Sequence, residues 1–392
     1  MEDARLAPFH LTADFTFSGV TVKHCLWILS LLGCWLTTSA CVGTANSTRT
    51  DAKRAQQIRS LLERDIPRLL AANSVPSVSI AHIEAGKVVF TGAYGSRAPG
   101  TIATTKTLYN IASLSKPISA EVILRLASLD RLTLDEPMYL YWTDPDIAND
   151  ERRKLLTPRL ALSHQTGFPN WRRQTGHVLI FKDTPGETFG YSGEGYEYVA
   201  HFAQQKMAID FENLAQDLVL DPLGMTDTAY TRRPWFSGRI ALPTDIDGKT
   251  LKPEVADKWV ASDMVYTTPG DYAKFVLSVM RGDDLTPAIA QERSRVQIIK
   301  NSPLCSSAKP EGCPESAGFG LGWEVFIIAN EIYLTHDGAD DGVSTFVYIN
   351  LTHKTGTVIF TNSSNGGKLV LPILDLLGKD QAFIDCIRRK AC

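Results

Sequence analysis

Thr107-Leu108-Tyr109-Asn110-Ile111-Ala112-Ser113-Leu114-Ser115-Lys116-Pro117 is the stretch whose reading decides the fold. Residues 107–112 read as extended, and beyond them Ile118, Val122, Ile123 and Leu126 recur at helical spacing. Ser113 and Lys116 thus stand at a junction where an extended segment becomes a helix. Residues three apart on a helix share a face, so the lysine amine is placed beside the serine hydroxyl. A serine hydroxyl needs such a neighbouring base to become a nucleophile. The helix N-terminus adds positive potential and free N–H groups, both useful to a developing oxyanion. Pro117 fits a first helical turn, where its missing N–H costs little. A second Ser-x-x-Lys, Ser306 to Lys309, lies among Pro303, Cys305, Pro310, Gly312, Cys313 and Pro314 and reads as a loop.

Upstream of this junction, Ile58, Leu61, Leu62, Ile66, Leu69 and Leu70 predict an amphipathic helix over about 53–72. The alternating Val78, Ile80 and His82, a turn at Ala85-Gly86 and Lys87-Val88-Val89-Phe90 predict a β-hairpin. Downstream, residues 120–260 hold helix-like segments and loops with few alternating runs. From Gly318 the texture changes: 323–328, 332–335, 344–349 and 357–361 read as successive strands, and 368–377 as a closing helix. Strands at both ends and helices between them predict an α/β (α+β) fold. One antiparallel sheet is built from both termini and flanked by helices, with a helical subdomain over about 120–260.

The 392 residues can bury a large core. A net charge of −3 and no basic stripe argue against nucleic acid as a partner. Lys23 and His24, the apolar run Cys25–Leu36 and the small residues Thr37–Ala40 have the order of an export signal. The expected organisation is therefore an export leader (1–41), a polar tether (42–52) and a catalytic domain (53–392), with a periplasmic destination. Ser39-Ala40-Cys41 resembles a lipoprotein processing site, which makes Cys41 a candidate point of membrane anchoring. Thr38 stands where leucine is usual, Leu31–Cys34 is a competing match, and translation starting near Val20 or Val22 would shorten the leader. Outside the leader, Cys305, Cys313, Cys386 and Cys392 allow three pairings; the short-range pairs Cys305–Cys313 and Cys386–Cys392 suit an oxidising compartment. No zinc-like spacing occurs. Asp337, Asp340 and Asp341, the nearest thing to a metal cluster, read as a solvated loop.

The order of further segments resembles the serine β-lactamase and penicillin-binding protein superfamily, in the branch near class C β-lactamases, esterases and D-peptidases. The resemblance covers roughly residues 55–380. Asn110–Lys116 resembles the nucleophile segment, Leu132–Pro137 the turn after its helix, and Leu162-Ser163-His164-Gln165-Thr166-Gly167 a loop of the family. Pro185–Ser192 resembles its tyrosine motif, and Asp221–Met225 and Gly320–Trp323 match further signatures. The resemblance implies a β-lactamase/transpeptidase-like fold, with Ser113 as nucleophile, Lys116 as neutral base and Tyr191 as proton relay. A neighbouring ammonium would favour ionised Tyr191. His336-Asp337-Gly338 takes the place of the third motif. His336 is then expected to donate to a substrate carboxylate or to Tyr191, and Gly338 to let substrate backbone approach. The N–H groups of Ser113 and Ala339 would form the oxyanion hole. The literal Lys354-Thr355-Gly356 lies between two strand-like runs and reads as a hairpin turn. No metal or organic cofactor is implied.

Two positions depart from the family. Gly193 stands where Tyr-x-Asn has its asparagine, which removes an amide that would hold a substrate carbonyl. Asp337 puts an acid where Gly or Thr is usual, although strand alternation aims it away from the face of His336. His164 is expected to brace the structure, and Trp171 to line the cleft or pack at its edge. The sequence thus points to a serine hydrolase acting on an ester, amide, D-peptide or β-lactam bond of a small-molecule or peptide substrate, with ester and peptide favoured over a dedicated β-lactamase. The alternative is a non-catalytic exported binding or sensor protein on the same fold. The sequence does not fix an oligomeric state.

Overall fold

The computed structural model describes residues 38–300 and 313–389. The leader up to residue 37, the second Ser-x-x-Lys, Cys305 and Cys392 lie outside the described residues. Cys313 and Cys386 are each disulfide-bonded. The chain divides into Met1–Thr48 and Arg49–Cys392, and the second unit holds the sheet and the candidate site residues. Helix α1 (Thr38–Asn73) includes the segment 42–52 expected as a tether. Its polarity reads as linker, yet residues 44–52 hold no glycine or proline to interrupt a helix. Among the described residues no helix is long and apolar enough to cross a membrane.

The strands are β1 (Ser77–Glu84), β2 (Lys87–Ala98), β3 (Thr101–Ile102), β4 (Tyr109–Asn110), β5 (Tyr266–Thr267), β6 (Ile298–Ile299), β7 (Ser316–Phe319), β8 (Glu324–Ile328), β9 (Glu331–Asp340), β10 (Val343–Asn350) and β11 (Thr355–Thr361). The further helices are α2 (Ser115–Ser128), α3 (Pro158–Leu162), α4 (Gly193–Met207), α5 (Phe211–Ala215), α6 (Pro269–Arg281), α7 (Pro287–Ser294), α8 (Val370–Leu377) and α9 (Gln381–Arg388). Nine strands form one sheet in the order β3-β2-β1-β11-β10-β9-β8-β7-β6, while β4 and β5 pair separately. β1 pairs antiparallel with β11, so the N-terminal hairpin and the C-terminal strands close into one sheet. Lys354 ends the turn into β11 and is exposed, but Thr355 and Gly356, expected in the same hairpin turn, already belong to the strand, where they pair with Asn350 and Ile349 of β10.

Both faces of the sheet are covered. Ala81, Val347, Ile349, Val358 and Phe360 face the core shared with α2 and α6. Ile80, Tyr348 and Ile359, their neighbours in sequence, face the core with α1, α8 and α9. Strand alternation produces this split. Coverage on both sides leaves β1 and β11 almost without an exposed face, so each is a nearly continuous buried run. On α1, Ile58, Leu62, Ile66 and Leu70 are buried in one stripe, as their spacing predicted.

Helix α2 is buried all round from Ser115 to Ala127. Its ionisable residues must therefore be paired or shifted toward their neutral form. Glu121 lies 2.7 Å from Arg293 of α7, with both side chains about 2–3% exposed. Removing one member of such a pair strands the other charge. Arg293→Ala should cost about 3–5 kcal/mol of stability, measured by urea denaturation. Replacing both members with apolar residues of similar volume should recover most of that loss.

Candidate active site

The junction between β4 and α2 is held by its own backbone and its neighbours. Ala112 adopts φ +47°, a left-handed conformation that costs a non-glycine residue about 1–2 kcal/mol. The turn persists because it is over-determined. The Ala112 N–H donates to the Asn110 side chain at 2.8 Å. Ser115 Oγ donates to the Ala112 carbonyl at 2.7 Å and accepts from the Val265 N–H. The Tyr272 hydroxyl donates to the Leu114 carbonyl. Ser113 is thereby presented in a 3₁₀ turn (Ala112–Leu114) just ahead of α2, partly exposed while its neighbours are buried.

Lys116 lies in the first turn of α2 and is fully buried. Its Nζ is 2.9 Å from Ser113 Oγ and 2.9 Å from the Ser262 carbonyl oxygen. Burial lowers its pKa from the ordinary 10.5 to about 8, against the upward pull of Asp263, Glu197, Asp340 and Asp337. Glu197 of α4 fixes the carbonyl that receives the amine. It accepts from the Ser262 N–H at 2.9 Å, the Ser262 hydroxyl at 2.6 Å and the Ala261 N–H at 3.2 Å.

Tyr191 lies close enough to Ser113 for the serine hydroxyl to favour its ionised form. The Lys116 amine sits over its ring, 4.9 Å from the centroid. Contrary to the expectation from the sequence, the lysine does not make this phenol easy to ionise. Burial raises the Tyr191 pKa above its ordinary 10, and Ser113 opposes this only in part. Tyr191 is therefore a protonated donor at neutral pH rather than a standing base. Its ring is braced by His164, 4.3 Å away between centroids. His164 is buried, accepts the Ser192 N–H at Nδ1 and is kept neutral by burial.

His336 lies on β9 with its ring 6.3 Å from that of Tyr191. β9 runs to Asp340, five residues past the end expected from the 332–335 run, so His336 to Ala339 all lie on the strand. Nδ1 is 2.6 Å from the Asp337 carbonyl oxygen. A carbonyl only accepts, so Nδ1 carries the proton and Nε2 presents a lone pair. Nε2 is buried without a protein partner. Burial depresses the His336 pKa to about 4. The expected donor to a carboxylate is thus a neutral acceptor on that edge. Gly338 also departs from expectation. A Cβ there would lie 2.5 Å from the Ile111 carbonyl oxygen and 3.2 Å from Ala112 Cβ, and would meet Thr345 Oγ1. Its missing side chain makes room for the nucleophile's own turn rather than for substrate. Ala339 follows at the exposed end of the strand, paired with Ser344. Asp337 is exposed and buried His336 is not, as alternation predicted.

Three features are not legible in the sequence: the Ser262 carbonyl, Glu197, and a carboxyl pair formed by Asp263 and Asp340. Those two carboxyls hydrogen-bond to each other. Burial and the Asp263 charge push Asp340 up to about 7. Nothing in the spacing of residues 197, 262, 263 and 340 signals that they converge. Asp337, Asp340 and Asp341 do not assemble a metal site; among the described residues no such acidic or histidine group occurs.

Residues 62–377 match the family described as Beta-lactamase. The chain belongs to that family. Protein flp of Staphylococcus aureus is 24% identical over 328 residues, which is 78% of this chain and 63% of that protein. The unguisins hydrolase ungD of Aspergillus violaceofuscus is 23% identical over 369 residues, 80% of this chain and 64% of that protein. The chain therefore spans less than two thirds of the length of these curated relatives. Among solved structures, a D-alanine carboxypeptidase AmpC from Burkholderia cenocepacia superposes with a TM-score of 0.68 at 19% identity, covering 82% of this chain and 99% of that one. A class C β-lactamase gives 0.68 at 16% identity, covering 82% and 96%. The β-lactamase/transpeptidase fold, with its antiparallel sheet and helices, is that of these neighbours.

The depressed Lys116 pKa has a signed consequence. Below about 8 the amine is an ammonium and cannot take the Ser113 proton. Acylation of Ser113, followed as kcat/KM on a neutral ester, should rise about tenfold per pH unit at lower pH and level off above about 8. The same shift means that the unfolded chain holds more protons between about 8 and 10.5, so this group makes stability rise with pH across that window.

Proposed function

We propose that the protein is a serine hydrolase that forms an acyl-enzyme on Ser113 and cleaves an uncharged ester or amide. The observation that carries this reading is the buried Lys116 amine, 2.9 Å from Ser113 Oγ. Neutral Lys116 takes the Oγ proton as Oγ attacks the substrate carbonyl. Protonated Tyr191, whose ring lies beneath the Lys116 amine, passes its proton to the leaving group and is reprotonated from Lys116. Attack of water on the acyl-enzyme runs the relay in reverse. The N–H groups of Ser113 and Ala339 are assigned to the tetrahedral oxyanion.

His336 supports the choice of substrate. β-Lactams of the usual kind and the C-terminal residue of a D-peptide both present a carboxylate to this region of the cleft. A neutral imidazole whose Nε2 carries no proton and is closed off from solvent offers that group no donor. Esters and internal amides therefore rank ahead of carboxylate-bearing lactams. The relative named for unguisins hydrolysis is compatible with a hydrolase reading. A non-catalytic binding protein would have no use for a lysine desolvated beside a serine, a costly arrangement.

The test is intact mass of the purified protein after brief exposure to a fluorophosphonate and, separately, to a chromogenic cephalosporin. The expected result is a stoichiometric fluorophosphonate adduct absent from Ser113→Ala, with little or no cephalosporin adduct. If Ser113→Ala is labelled as fully as wild type, the assignment of the nucleophile is wrong. Rapid acylation by the cephalosporin would instead overturn the preference for uncharged substrates.

A further inference from the structure

Glu197 lies in the second turn of α4, shortly after Tyr191. Its carboxylate accepts hydrogen bonds from two adjacent residues: the Ala261 N–H at 3.2 Å, the Ser262 N–H at 2.9 Å and the Ser262 hydroxyl at 2.6 Å. Among the described residues it forms no ion pair. The acids that line a cavity of about 530 Å³ with it find other partners. Glu212 pairs with Arg233, Asp257 with Arg232, and Asp210 accepts from the Trp259 indole N–H at 3.0 Å. His201 is kept neutral by burial, and Lys258 is exposed. A carboxylate set into the protein without a cation is costly unless it is hydrogen-bonded, and here those bonds come from one dipeptide.

That dipeptide carries the acceptor of the Lys116 amine. The Ser262 carbonyl receives Nζ at 2.9 Å, yet residues 261–265 belong to no helix or strand, so no ladder sets its direction. The segment is pinned group by group instead. Ser119 Oγ donates to the Ala261 carbonyl at 2.5 Å, the Asp263 N–H to the Val260 carbonyl at 3.2 Å, and the Val265 N–H to Ser115 Oγ at 3.2 Å. Glu197 holds the N–H groups of Ala261 and Ser262. A neutral amine has one lone pair and two N–H groups. With an N–H donated to the Ser262 carbonyl, the lone pair can face Ser113 Oγ, 2.9 Å away. Without that anchor the amine can turn an N–H toward the serine, and an N–H cannot take its proton.

We infer that Glu197 is a positioning residue: it sets the direction of the Ser262 carbonyl, and through that carbonyl turns the Lys116 lone pair onto Ser113 Oγ. This inference rests on the serine hydrolase reading. Lys116 is also faced by Asp263, Asp340 and Asp337, by the rings of Tyr191 and Tyr196, and by His164 and His336. Of these groups and Glu197, only Glu197 hydrogen-bonds to Ser262. Because Tyr191 lies just ahead of the same helix, α4 sets both the proton donor and, through Glu197, the aim of the base.

The experiment follows kcat/KM for p-nitrophenyl acetate from about pH 5 to about pH 10, per mole of folded protein. It uses the full chain and its Glu197→Ala, Glu197→Met and Glu197→Gln variants. Ala and Met remove the acceptor, and Met fills the space, which keeps the comparison available where Ala does not fold. Each should lower the high-pH plateau on the order of tenfold or more. Gln keeps an oxygen for Ser262 and should recover most of the plateau. Its inflection should lie at lower pH than that of wild type, because a carboxylate that raises the Lys116 pKa is gone. A role in stability alone would lower the melting temperature and leave the plateau per folded molecule unchanged. That result, or a Gln plateau as low as that of Met, overturns this inference alone while fluorophosphonate still labels wild-type Ser113. Failure of the wild type to be labelled at Ser113 overturns the hydrolase reading, and this one with it.

Discussion

The burial of one amine organises the structure. Lys116 is closed off from solvent, and its two polar contacts are a serine hydroxyl and a backbone carbonyl. An ammonium in that setting is expensive, and the molecule meets the cost by moving the pKa rather than by supplying a carboxylate in direct contact. The surrounding architecture maintains the burial. Helix α2 is covered on every side, the sheet closes over it, and Tyr191 and Tyr196 place their ring faces near the amine. A less buried lysine would stay charged and would be no base. A lysine with a carboxylate against it would be held charged permanently.

That constraint also accounts for the turn before the helix. The serine must reach toward the amine while its neighbours stay packed, and the chain does so with a left-handed Ala112. Local strain is tolerable because four separate hydrogen bonds fix the turn, from Asn110, Ser115, Val265 and Tyr272. Gly338 completes the fit from the sheet side by yielding the space of a side chain to the Ile111 carbonyl. Residues far apart in sequence thus serve the same few ångströms.

The parts legible in the sequence are those encoded by local pattern. The stripe of Ile58, Leu62, Ile66 and Leu70 marks α1, and the runs near 324–328, 344–349 and 357–361 mark three strands of the sheet. The three-residue interval of Ser113 and Lys116 is readable because it depends only on helical geometry. The end of β9 is hidden because Asp337, Gly338 and Asp340 resemble a turn, while their strand conformation comes from pairing with β10. The helical state of residues 44–52 is hidden for the converse reason, since polar residues without a breaker can continue a helix. The protonation states lie beyond the reach of sequence. That His336 is an acceptor follows from one contact with its neighbour's carbonyl, and that Tyr191 keeps its proton follows from burial. Neither quantity is a property of spacing.

The electrostatics of the site balance two opposed demands. Desolvation alone would drive the Lys116 pKa lower still, and Asp263, Glu197, Asp340 and Asp337 pull it back. These carboxylates act at a distance, and each is limited in how much charge it can bring. Glu197 is committed to the Ala261 and Ser262 groups. Asp263 and Asp340 bond to each other, and two carboxylates in contact cannot both be ionised without a large penalty. Sharing a proton between them caps the negative charge near the lysine. One more full charge nearby would move the pKa back toward the ordinary value of lysine; with none, burial would lower it further and leave the amine poorly able to accept and hold the serine proton. The value near 8 lies between these limits, close enough to neutrality for a base that must both take a proton and release it to Tyr191.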